Sequence, residues 1–254
     1  MRVFTISDIH VDFEENLRWL NNLSCFDYQN DLLILAGDVT DILPLFEKTL
    51  ISLRERFLEV LFIPGNHDLW VHRSNVKHSL EKLRLIKTII IDCGIRIEPF
   101  HLTSLSIIPL FGWYDYSFGQ PSREMIKTWA DYLACTWPAN YDEQSITEYF
   151  ISINEPFVTE CNTNRFIISF SHFLPRIDVM PCYIPDDKRR LYPVLGTTLL
   201  EKQIRRLGSQ IHVYGHSHVN NQVMKDNTLY INNAFGYPYE TRIAAKELKC
   251  ILEI

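Results

Sequence analysis

Short apolar, β-branched runs recur along the chain, and each stops at a polar cluster. VFTIS (3–7) leads into Asp8-Ile9-His10, LLILAG (32–37) into Asp38, and VLFIPG (60–65) into Asn66-His67-Asp68. FIISFS (166–171) leads into His172, and IHVYG (211–215) into His216-Ser217-His218. Runs of this length and composition predict buried strands. Between the first three lie helix-like segments: 14–23, with Leu17, Leu20 and Leu23 at helical spacing; 42–56; and about 73–84. Strand–helix–strand alternation predicts parallel pairing in a buried sheet. In such sheets, sites form beyond the carboxyl ends of the strands. Five strand ends would therefore deliver Asp, His and Asn side chains to one edge. After about residue 210, QVMKD, TLYINN and CILEI read as strands with short connections. They predict an antiparallel portion in a second sheet packed on the first.

Composition narrows this picture. The 254 residues are 46% hydrophobic, enough for a sizeable core. No linker tract or repeat divides them, so a single domain over 1–254 is expected. A net charge of −6 argues against long nucleic acid as a partner. The clusters Lys188-Arg189-Arg190 and Arg205-Arg206 read as solvated surface. The cysteines at 25, 93, 135, 161, 182 and 250 form no CxxC pair, which excludes a zinc knuckle or a thioredoxin-type site. The start MRVFTISDIH enters a strand at once and does not read as a signal peptide, and no apolar run is long enough to span a membrane. The expectation is a reduced, cytoplasmic protein with free thiols and no membrane partner.

The strand-end residues are Asp8, His10, Asp38, Asn66, His172, His216 and His218. They offer oxygen and imidazole donors and no thiolate, a set suited to Mn, Fe, Zn or Mg. Asp8 and His10 are two apart, as are His216 and His218, so on extended backbone each pair points one way. Seven ligands exceed one tetrahedral ion but suit two ions sharing a carboxylate. Two such ions clamp the attacking and leaving oxygens of a phosphoryl displacement. Each motif has a plainer reading taken singly. Asp-x-His arises by chance, Gly-Asp marks turns, and a lone histidine such as His172 is usually a satisfied buried group. Five coincidences in one order outweigh those readings.

The ordered set Asp8-x-His10, Gly37-Asp38, Gly65-Asn66-His67-Asp68, His172 and Gly215-His216-x-His218 resembles the calcineurin-like metallophosphoesterase superfamily. The resemblance implies a four-layer αββα sandwich, an α/β fold of two mixed sheets flanked by helices, with a dinuclear metal site at one edge. It implies one ion on Asp8, His10 and His218, another on Asn66, His172 and His216, and Asp38 bridging both. The two ions would be divalent or trivalent, manganese first in vitro, with iron, zinc or magnesium as alternatives. A metal-bridging hydroxide would be the nucleophile. His67 would face the substrate and stabilise or protonate the leaving oxygen. The second Asp of GDVTD, Asp41, resembles the residue that pairs with this histidine in protein phosphatases. It is therefore assigned to orient His67, with a helix N-cap as its alternative. Asp68 reads as a turn residue or as support for the ligands.

Protein Ser/Thr phosphatases of this superfamily carry arginines where this chain has Ile42 and Pro64. Their absence points to a phosphodiesterase acting on a small-molecule phosphoester. A phosphomonoesterase is the alternative, and a protein-binding scaffold with an inactive site is an alternative of another class. Scaffolds tend to lose ligands, and none is missing here. The least family-like stretch is about 111–165. There Trp113, Tyr114, Tyr116 and Phe118 could line a pocket for a flat leaving group, or pack in the core. Arg123 and Arg176 are candidates for gripping a phosphate oxygen.

Overall fold

The computed structural model describes residues 1–161 and 165–254. Positions 162–164 of the 111–165 stretch lie outside the described residues. The first sheet is laid down by β1 (Arg2–Ile6), β2 (Leu32–Leu35) and β3 (Glu59–Phe62). These pair in parallel through the crossover helices α1 (Glu14–Asn21) and α2 (Leu43–Arg56). Right-handed crossovers place both helices on one face. The next helix, α3, runs over Ser79–Asp92, several residues later than the pattern predicts. His78 explains the delayed start, because its side chain accepts from the Glu81 N–H and caps the first turn.

The second sheet holds β4 (Phe100–His101), β5 (Leu105–Pro109), β6 (Phe166–Phe170), β7 (Ile211–Tyr214), β8 (Asn221–Lys225) and β9 (Thr228–Asn232). Its order is β4-β5-β6-β7-β9-β8. Strands β5, β6, β7 and β9 run parallel, while β8 and β9 form a hairpin whose turn residues Asp226 and Asn227 both have positive φ. Between β5 and β6 come α4 (Arg123–Thr128), α5 (Ala130–Ala134) and α6 (Glu143–Glu160). Then α7 (Asp186–Arg189) and α8 (Thr198–Leu207) precede β7. The final strand β10 (Lys249–Glu253) departs from the expectation. It leaves the hairpin and returns to the first sheet, antiparallel to β1. Both sheets are thus mixed, helices flank them, and one apolar core runs from Val3 and Leu33 through Ile107, Ile168 and Val213. The four-layer α/β sandwich is borne out. No helix among the described residues is long and apolar enough to cross a membrane.

Two features of the 111–165 stretch are settled by burial. Trp113 and Tyr114 are core residues at 1% exposure each, so they do not line a pocket. Tyr116 and Phe118 pack against the same core.

One buried polar arrangement links the second sheet to pH. Ser169 and Ser171 bracket His212, with oxygen–nitrogen distances of 2.8 and 3.1 Å. Burial, and after it the Arg205 charge, pushes His212 down to about 3. The unfolded chain takes up this proton near pH 6.5, so the stability that His212 supports is present above about 6.5 and lost as pH falls towards 3. Between about pH 7 and about pH 4.5 the loss should be about 2–3 kcal/mol. Urea melts at those two pH values should show that share of acid sensitivity missing from His212→Asn. An unchanged difference would rule this account out.

Candidate active site

All the predicted ligands converge where the carboxyl ends of β1, β2, β3, β6 and β7 meet. The loops carrying them are tied backbone to backbone. Asp8 N–H donates to the Gly37 carbonyl at 2.9 Å and His10 N–H to the Asp38 carbonyl at 3.1 Å. Gly215 N–H reaches the His172 carbonyl at 2.9 Å. Asp68, with no exposed surface, accepts from the N–H groups of Gly65, Asp38, Val39 and Thr40 at 2.9–3.2 Å. It is therefore a loop anchor, which explains why the Gly-Asn-His turn ends in Asp. Burial lifts its carboxyl to about 7 against those four donors. Gly65 cannot be replaced: an added Cβ would overlap Asp38 Oδ1, with His172 Cε1 only 2.7 Å away.

The backbone here corrects the parity argument. Asp8, His10, Asp38, His216 and His218 all lie just past the strand ends with φ between 38° and 65°. Each pair does point into the site, but from left-handed and not from extended backbone. Such a conformation costs about 1–3 kcal/mol per non-glycine residue and persists only where the surroundings enforce it.

Hydrogen bonds fix the tautomers. His172 Nδ1 sits 2.9 Å from the Ala36 carbonyl, and His216 Nε2 sits 3.0 Å from the Val194 carbonyl. A carbonyl only accepts, so those nitrogens carry the protons. The lone pairs are left on His172 Nε2 and His216 Nδ1, which face each other at 3.2 Å. Asn66 Oδ1 lies 3.0 Å and Asp38 Oδ2 3.5 Å from the same His172 nitrogen. Four acceptors converge with no hydrogen between them. On the other side His10 Nε2 faces His218 Nε2 at 3.2 Å, and His218 Nε2 faces Asp8 Oδ1 at 3.2 Å. Donors bound to one ion at about 2.0–2.2 Å stand about 3.0–3.5 Å apart. The residues fit two cations, and the two groups, Asp8-His10-Asp38-His218 and Asp38-His172-His216, share Asp38.

Electrostatics agree. Burial, and then the charges of Asp8 and Asp68, push Asp38 well above the carboxylate range, so its ionised form calls for a cation beside it. Burial lowers His10 well below its usual value, with the His218 charge next, and burial lowers His172 to about 3. Burial works against the ionised Asp8, but the His218 charge holds it well below its usual range. His218 is the exception among the histidines. Burial opposes its proton, yet Asp8 and Glu240 outweigh that and lift it to about 9. Glu240 Oε2 lies 2.7 Å from His218 Nδ1, the carboxylate–histidine pairing that orients metal-binding imidazoles.

His67 lines the same cavity, of about 250 Å³, with Trp70, Trp129, Leu191, Tyr237 and Glu240. Its ring stacks on Trp70 at 3.6 Å, and its Nε2 lies 3.4 Å from the Tyr237 hydroxyl. Asp41 does not orient it. The Asp41 carboxylate is taken by Arg73 Nε and Nη2, and His72 Nδ1 stands 3.9 Å away. Nor is Asp41 the N-cap, since α2 begins after Ile42 with no side-chain cap. Burial, then the nearby imidazoles, keep His67 well below its usual pKa. Arg176 is spent on Asp178, Glu201 and Asp226, and Arg123 is exposed and outside the cavity lining.

Several side chains escaped the sequence reading. Glu240 and Tyr237 come from the segment after β9, Trp70 from the turn after β3, and Trp129 and Asp131 from the start of α5. Asp131 Oδ1 accepts from Asn66 Nδ2 at 2.8 Å and from Trp70 Nε1 at 2.7 Å, while Oδ2 accepts from Trp129 Nε1 at 2.8 Å. For Asp131 the available signal was an acidic residue two positions after a tryptophan in an aromatic-rich stretch.

A family model described as calcineurin-like phosphoesterase matches residues 1–220. The chain is 25% identical over 264 aligned positions to the acyl-carrier-protein phosphodiesterase PptH of Mycobacterium tuberculosis, covering 94% of this chain and 79% of that protein. The crystal structure of the phosphopantetheinyl hydrolase PptH from the same organism shares the fold. Its TM-score is 0.83 at 23% identity, over 99% of this chain and 95% of the other. Paired lone-pair clusters on this fold, and a family match across most of the sequence, lead to one assignment: the chain belongs to the calcineurin-like phosphoesterase family and is a two-metal hydrolase of phosphoester bonds.

Proposed function

We propose that the enzyme is a phosphodiesterase whose substrate is a phosphopantetheine diester on an acyl carrier protein. One observation carries the diester reading: the cavity is lined by no lysine or arginine among the described residues. A phosphomonoester brings a second negative charge that a basic side chain would ordinarily balance. A diester brings one charge and a second organic group, for which Trp70, Trp129, Leu191 and Tyr237 offer apolar walls. Carrier protein and phosphopantetheine are taken from what the mycobacterial relative is named for. The small-molecule expectation then narrows to the arm that enters the cavity.

In this reading Asp8, His10 and His218 would hold one ion, Asn66, His172 and His216 the other, and Asp38 would serve both, with manganese first and iron, zinc or magnesium as alternatives. When bound, the ions supply Lewis acidity at the phosphoryl group and lower the pKa of water. His67 is half-buried and neutral, and its N–H hydrogen-bonds the leaving oxygen. Trp70 holds the His67 ring plane, and Glu240 holds that of His218.

The test uses metal-stripped protein with Mn²⁺ restored. Bis-p-nitrophenyl phosphate should turn over faster than p-nitrophenyl phosphate. A carrier protein bearing phosphopantetheine should lose the mass of that arm in intact-protein mass spectrometry. Preference for the monoester would replace the proposal with a phosphomonoesterase. Inactivity on all three with both metals bound would restore the scaffold.

A further inference from the structure

A histidine that donates to a leaving oxygen needs its ring plane fixed, and in this protein the expected carboxylate is engaged elsewhere. Trp70 does the fixing, with an interplanar angle of 28° to His67. Trp70 is itself tethered through its indole N–H to Asp131, which is 2% exposed. The same carboxylate holds the Asn66 amide and the indole of Trp129, whose ring stands edge-on to His216 at 6.2 Å.

We propose that Asp131 is the positioning residue of this site. It sets the His67 ring at one remove through Trp70, and it turns Asn66 so that the amide oxygen faces His172. The inference rests on the reading of Asn66 as a ligand and His67 as the proton-bearing group. Its chemistry requires a carboxylate, because all three partners are donors and an ionised Asp offers acceptors only. An asparagine at 131 would turn its own N–H groups towards one side of this set. In one orientation Trp129 loses its acceptor, and in the other both Trp70 and Asn66 lose theirs. Charge-assisted bonds at 2.7–2.8 Å are also the stronger kind.

The experiment compares D131N, W70F, N66A and H67A with wild type as full chains. Mn²⁺ affinity is read by calorimetry on metal-stripped protein, and tryptophan emission on the metal-free form. Turnover is read on bis-p-nitrophenyl phosphate and on diphenyl phosphate. The phenol leaving group is the weaker acid, so its departure depends more on a proton donor. D131N is expected to bind one ion about 10–100-fold more weakly, to shift tryptophan emission, and to lose more turnover on diphenyl phosphate than on the nitrophenyl diester. W70F keeps an aromatic ring beside His67 and removes the indole N–H that reaches Asp131. It should show the same leaving-group bias with wild-type Mn²⁺ affinity, a combination that general loosening of the fold would not produce.

Wild-type affinity for both ions in D131N, together with equal losses on the two diesters, overturns the proposal. If N66A also keeps both ions, or H67A also loses equally on both diesters, that failure belongs to the ligand or donor reading and not to Asp131. Should D131N not fold, W70F decides, and an unbiased W70F overturns the proposal.

Discussion

Asp38→Ala is expected to leave the protein with neither ion and without measurable turnover. Asp38 Oδ2 lies 3.5 Å from His172 Nε2 and 3.9 Å from His10 Nε2, and Asp38 is the residue that the two clusters share among the described residues. Its other oxygen accepts the His67 N–H at 2.9 Å and thereby sets where the Asn66-His67 turn begins. Metal centres contribute several kcal/mol of transition-state stabilisation. At 1.36 kcal/mol per tenfold, losing them should lower kcat by at least about 10³-fold. Elemental analysis after gel filtration reads the metal directly, and wild-type content in the variant would remove Asp38 from its bridging role. A companion result follows from the repulsion on this carboxylate. Burial, Asp8 and Asp68 all disfavour its charge when no cation is present. Asp38→Asn, which tolerates the same left-handed backbone, should therefore melt in chelator at or above the temperature of metal-free wild type.

The second large effect is at His67. Alanine there should cut kcat by about 10²–10⁴-fold, the usual worth of a general acid–base group, while both ions stay bound. The ring belongs to neither cluster; it meets Trp70, Tyr237 and His10, and its Nε2 stands 3.9 Å from Asp38 Oδ2. Full activity in His67→Ala would refute the role. Loss of metal would show that the ring supports the clusters instead of the leaving group.

The proposed ligands were legible in the sequence because each is bound to a strong local signal. A strand pattern ending in Asp, Asn or His needs only the rule about carboxyl ends to become a site. What surrounds them was not legible, for a different physical reason at each place. Asp41 sits in a motif position but is claimed by Arg73, a long side chain whose direction no spacing rule gives. Asp131 and Glu240 act across 65 and 22 residues of sequence, through contacts that exist only once loops from separate layers are packed. The dense aromatics at 113 and 114 went to the core, whereas Trp70 and Trp129, single rings in polar company, line the cavity. Strand β10 was recognised as a strand, but local pattern carries no information about which sheet it joins.

The five proposed ligands held at positive φ bear on how this protein can change over generations. Glycine enters that conformation without strain, and asparagine and aspartate at less cost than most residues. A lineage released from catalysis would therefore gain stability by letting glycine or asparagine replace the histidines. A lineage still under selection would find few tolerated neighbours at the same sites. Loss of activity is thus a downhill path for the fold, and a non-catalytic descendant should carry its history as small residues at positions 10, 216 and 218. His10→Gly, tested for a higher melting temperature in chelator, is the first step of that path made in the laboratory.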